Sequence, residues 1–72
     1  MTELSKRPLY RIRIRGELSE RLLTAFPTLE ATTAAGETVL TGLLPDQAAL
    51  YGVLGEIEAL GLVLLEVRCE CP

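Results

Sequence analysis

Apolar and charged positions alternate most sharply from Leu9 to Arg15, where Tyr10, Ile12 and Ile14 interleave with Arg11, Arg13 and Arg15. Side chains on a strand leave opposite faces with period two. The spacing predicts a strand with Tyr10, Ile12 and Ile14 packed on helices and the arginines on an open side. Gly16 ends it. Ser19 suits a helix N-cap, and Leu18 with Leu23 fits a hydrophobic staple around it. Leu22, Leu23 and Phe26 give that helix a short apolar stripe, which Pro27 stops. Leu29 to Ala34, rich in threonine, reads as a second strand. Ala35-Gly36 is a tight hairpin turn and Glu37 to Leu43 a third strand. Pro45-Asp46 opens a longer helix with Asp46 as cap and Leu50, Val53, Leu54, Ile57 and Leu60 as its apolar stripe. Gly61 suits its C-terminal cap. Leu62 to Glu70 reads as the last strand. Residues 1–8 lack periodicity and are expected to be a mobile arm; residues 9–71 are expected to form a single domain.

The order β-α-β-β-α-β predicts an α+β fold, the ferredoxin-like plait: a four-stranded antiparallel sheet, order 4-1-3-2, with both helices on one face. Ile14-Arg15-Gly16-Glu17-Leu18 resembles Leu40-Thr41-Gly42-Leu43-Leu44, and a capping residue follows each. This internal repeat leads us to expect the first and third strands as parallel central neighbours. Leu40 should then face the helices with Ile14, and Val39 and Thr41 should join the arginines. In the last strand Val63, Leu65, Val67 and Cys69 should point inward. Leu62, Leu64, Glu66, Arg68 and Glu70 should point outward, with Glu66 and Glu70 in reach of Arg11 and Arg13. Arg15, at the far end, should sit among Thr41, Leu43, Leu62 and Leu64 with no carboxylate beside it, a setting that suits a contact surface.

Composition narrows the function more than it defines it. A chain of 72 residues makes a small core, and 49% apolar content is enough to fill it. Such a domain buries only about 60% of its extended surface, so self-association is a natural supplement. The net charge of −3 argues against general nucleic-acid binding. Charge is nonetheless uneven: six basic residues against three acidic ones through Arg21, then Arg68 against seven acidic residues. The longest wholly aliphatic run, Leu62 to Leu65, is far short of the about 18 residues of a membrane span. With no signal-like segment, a cytoplasmic protein with reduced thiols is expected.

Candidate chemistry is sparse. There is no histidine, so no imidazole base or ligand. No carboxylate pair stands out, and an enzyme is not expected. Cys69 and Cys71 lie about 6.6 Å apart on one strand face, near the upper limit for a disulfide, and are too few for a zinc site. They read as ordinary thiols at a strand end. No cofactor or metal is implied. Gly52 and Gly55, a short G-x-x-G in the second helix, read as places of close approach to a neighbouring element.

Ile14 to Leu23, a glycine turn followed by a leucine-rich helix, resembles the first loop and helix of ACT domains. That resemblance implies a small-ligand sensor that binds an amino acid near the Gly16 loop. Leu40 to Leu50 is similar to a segment of short uncharacterised bacterial plait proteins, which implies no activity. Read from the residues themselves, the chain is expected to be an interaction or regulatory module. It would self-associate, or bind another protein, through the open sheet face, with Arg15, Gly16, Thr41, Leu62 and Leu64 as the contact residues.

Overall fold

A computed structural model describes residues 9–70. Its elements are β1 (Leu9–Arg15), α1 (Glu20–Leu23), β2 (Glu30–Ala34), β3 (Glu37–Leu43), α2 (Gln47–Ala59) and β4 (Leu64–Glu70). The expected mobile arm, residues 1–8, lies outside the described residues. The strands form one antiparallel sheet in the order β2-β3-β1-β4, which is the predicted 4-1-3-2 order read from its other edge. β1 therefore pairs on both sides. Its Ile12 and Ile14 are fully buried with Leu40, Phe26 and Ile57, and leucines from both helical segments close around this cluster. Both helices thus cover the face that carries Ile12 and Ile14, and the opposite face is open.

The expectation of parallel central strands is corrected: β1 and β3 are antiparallel, from Leu9 opposite Leu43 to Arg15 opposite Glu37. The reason is topological. Each β-α-β crossover returns the chain in its starting direction, and β3, which is antiparallel to β2, lies between β1 and β2. The parallel relations therefore skip a strand.

The first helix is shorter than its apolar stripe suggests. After one turn, the amides of Thr24, Ala25 and Phe26 donate to carbonyls three residues back, at Arg21, Leu22 and Leu23. The Thr24 hydroxyl donates to the Arg21 carbonyl at 2.6 Å, a local bond that competes with continued helix, and Pro27 prevents recovery. The caps hold as expected. Ser19 Oγ accepts from the Leu22 amide and Asp46 Oδ1 from the Ala49 amide at 2.8 Å. At the end of α2, Gly61 has φ +74. The Gly61 amide donates to Glu58 and the Leu62 amide to Ile57, a Schellman closure.

The glycines of the internal repeat serve different purposes. Gly16 has φ +92 and turns the chain out of β1. Gly42 sits inside β3 opposite Tyr10, on the helix face, where the chain at Thr28–Leu29 crosses closely. A Cβ there would lie 2.5 Å from Leu29 Cδ2 and 3.0 Å from the Thr28 carbonyl oxygen. The reading of Gly52 and Gly55 as close-approach sites is corrected: both are exposed, with open space where a Cβ would stand.

These glycines predict opposite signs. Gly42→Ala pushes on backbone and should destabilise by about 1–3 kcal/mol. Gly55→Ala removes backbone freedom in an exposed helix and should stabilise by about 0.5–1 kcal/mol. Thermal unfolding should therefore shift down for the first and up for the second, by about 4–8 °C per kcal/mol.

Candidate functional site

The open face is built from alternate positions of all four strands. β1 supplies Leu9, Arg11, Arg13 and Arg15, and β3 supplies Glu37, Val39, Thr41 and Leu43 opposite them. β2 contributes Glu30, Thr32 and Ala34, and β4 contributes Glu66, Arg68 and Glu70. Among the described residues, four arginines thus share the face with four glutamates. Arg13 is the clamp of this layer. Its Nε lies 3.2 Å from Glu37 Oε1 and its Nη1 3.2 Å from Glu66 Oε1, so one guanidinium ties β3 and β4 to the strand between them. Arg11 reaches Glu70, and Arg68 reaches Glu66, each at 3.9 Å. The expected pairing of Arg11 and Arg13 with Glu70 and Glu66 is therefore present. All these side chains are about half exposed, so each pair contributes at most about 1 kcal/mol.

Arg15 makes no ion pair among the described residues. The carboxylate opposite it, Glu37, is turned to Arg13. The surroundings expected for Arg15 are otherwise corrected. Because β1 and β3 are antiparallel, Thr41 and Leu43 lie opposite Arg11 and Leu9, at the far end of the strand. Leu62 and Leu64 lie on the helix side. The pairing of β1 with β4 shifts between Arg13 and Ile14, so that Glu66 stands opposite Arg13 and Leu64 opposite Ile14. This bulge places one extra residue, Leu65, in β4 and inverts the parity before it. Leu62 precedes β4 and packs against the core. The five expected contact residues are therefore split: Arg15 and Gly16 end β1, Thr41 stands opposite Arg11, and Leu62 and Leu64 lie together on the helix side.

Leu62 and Leu64, with Leu54 and Ile57, instead line an apolar crevice of about 260 Å³ between α2 and β4, and Glu58 stands at it. Val63, expected inward, is exposed. After the bulge the expected parity holds: Val67 and Cys69 stand opposite Ile12 and Tyr10, and Glu66, Arg68 and Glu70 alternate with them. Cys69 is in a disulfide, which corrects the expectation of ordinary reduced thiols; Cys71 lies outside the described residues.

The loop after β1 is held by a residue that hydrophobic patterning does not single out. Thr38 is fully buried. Its hydroxyl donates to the Gly16 carbonyl at 2.7 Å and accepts the Leu18 amide at 3.1 Å. The Gly16 amide donates to the Gly36 carbonyl. The Gly16 carbonyl and the Gly16 and Leu18 amides are thus engaged within the domain. The signal for Thr38 lies in the β3 alternation, which places it in the inward phase of Leu40, where a lone hydroxyl needs a polar partner.

Among the described residues, no helix is long and apolar enough to cross a membrane, and no three side chains form a metal-ligating cluster. The fold and face define a small α+β domain with one side of its sheet covered and the other exposed. The chain belongs to a family described as a domain of unknown function (DUF8691), whose profile matches residues 9–68. No curated protein and no solved structure matches the chain.

Thr38→Val keeps the shape but strands the Gly16 carbonyl and the Leu18 amide. It should cost about 1–3 kcal/mol, seen in thermal unfolding. The Leu18 amide should also lose protection in hydrogen exchange, and Thr38→Ser should restore it.

Proposed function

We propose that this domain is a protein-interaction module that acts as a homodimer through its open sheet face, with a role in contact rather than catalysis. The observation that carries this reading is the division of charge between the two sides. The open face balances four arginines with four glutamates, so it can meet a copy of itself without net repulsion. The helical layer, with its caps, carries Glu20, Asp46, Glu56 and Glu58 against Arg21 alone, and two such layers repel one another. Opposed charges on facing surfaces guide encounter and fix register more than they add affinity.

Within the open face, Arg15 is the arginine that makes no ion pair among the described residues. Its planar guanidinium can take a carboxylate from a second copy with two parallel hydrogen bonds. In that arrangement the Arg13 clamp holds the sheet together, and Arg15 serves the contact.

Charge reversal tests this. Arg15→Glu should weaken self-association by about fivefold or more, the equivalent of about 1 kcal/mol, as read by sedimentation velocity across a concentration series. Equal masses for the two proteins at every concentration would refute the role of the open face.

A further inference from the structure

The two edges of the sheet are unlike. β4 is guarded: it carries a bulge, and Glu66, Arg68 and Glu70 alternate along it. Bulges and charges are devices that keep an edge from pairing with another strand. β2 has no bulge and little charge. Its register with β3 is regular from Glu30 opposite Thr41 to Ala34 opposite Glu37. All five of its residues are exposed, and its sequence, Glu-Ala-Thr-Thr-Ala, holds one charge, at its first position. Even its helix-side residues are uncovered. Ala31 and Thr33 are exposed, although Leu40 and Thr38 beside them on β3 are buried. The cause is the single turn of α1, which is too short to roof the edge strand.

We infer that β2 pairs antiparallel with β2 of a second copy, so that two four-stranded sheets join edge to edge into one of eight strands. The sequence of the strand favours its own copy. In a two-fold arrangement centred on Thr32, Thr32 meets Thr32 of the second copy, a favourable cross-strand pair on an exposed face. Glu30 falls opposite Ala34 of the second copy, so the one charge of the strand never faces itself. The contact is isologous and closes at two chains. It uses the edge of the sheet, whereas the contact proposed for Arg15 uses its face; neither reading depends on the other, and a protein that makes both contacts assembles beyond two chains, which the loss of the face contact reduces to the edge dimer.

The test places like charges on the two-fold position and is made in the Arg15→Glu protein, where the face contact is weakened. That protein should remain a dimer in sedimentation velocity. Adding Thr32→Glu should raise its dimer dissociation constant by about fivefold or more, and adding Thr32→Lys should do the same. An equimolar mixture of the two double variants should regain the dimer, because opposite charges then meet across the axis. An Arg15→Glu protein that is monomeric throughout would overturn the inference. So would a dimer indifferent to Thr32→Glu, or a mixture that stays dissociated. If the wild-type protein associates and Arg15→Glu abolishes it, the face reading stands while the edge reading fails.

Discussion

The structure depends on β1 being paired on both sides. A strand bounded by two others has no free ladder groups, and its side chains are forced into strict alternation. Here that constraint sets Ile12 and Ile14 beneath the helices with no exposure, and it sets Arg11, Arg13 and Arg15 on the other side. Hydrophobic burial contributes more than the ion pairs do, at about 1.5–3 kcal/mol for each fully buried isoleucine. The Arg13 clamp is weaker, but it acts across the strands rather than along them. It couples the two neighbours of β1 to a single side chain, so the open face is organised by the same strand that centres the core.

This is why so much of the fold is legible in the sequence. Period two in β1, the capping residues Ser19 and Asp46, the α2 stripe and Gly61 each report a local rule, and each local rule agrees with the global arrangement. What stays hidden is non-local. Nothing within residues 62–65 announces that Leu65 is an extra residue, because an unbroken aliphatic run has no parity of its own. The phase of β4 is fixed only where Glu66 meets Arg13, and before that point the bulge breaks it. A surface inferred by extending the alternation backwards therefore places Leu62 and Leu64 on the wrong side. The direction of β3 relative to β1 is hidden for a related reason. A repeated glycine motif resembles a repeated geometry, but Gly16 is there for its backbone angle and Gly42 for its missing side chain.

Thr38 shows the same limit in the polar direction. Alternation alone puts it inward, and hydrophobic patterning has nothing to say of a threonine in that place. Its hydroxyl becomes intelligible only when the Gly16–Leu18 loop is folded over it, giving a donor and an acceptor for the two functions of one oxygen. A loop fastened in this way, and again by the Gly36 carbonyl, is part of the scaffold. Its Gly16 carbonyl and its Gly16 and Leu18 amides are spent inward.

Electrostatics bears on the proposed association. A chain with net negative charge resists its own copies in general, so self-association needs surfaces on which the excess is absent. The acidic residues of the helical layer concentrate that excess on the covered side of the sheet. The open face is balanced, and the β2 edge is nearly uncharged. On β4, the bulge and alternating charges disfavour strand addition at the other edge. The two surfaces proposed for a second copy carry little unbalanced charge, and both are made by the sheet rather than by the helices. Acid placed on the helices would give the proposed association a direction without requiring a large apolar patch.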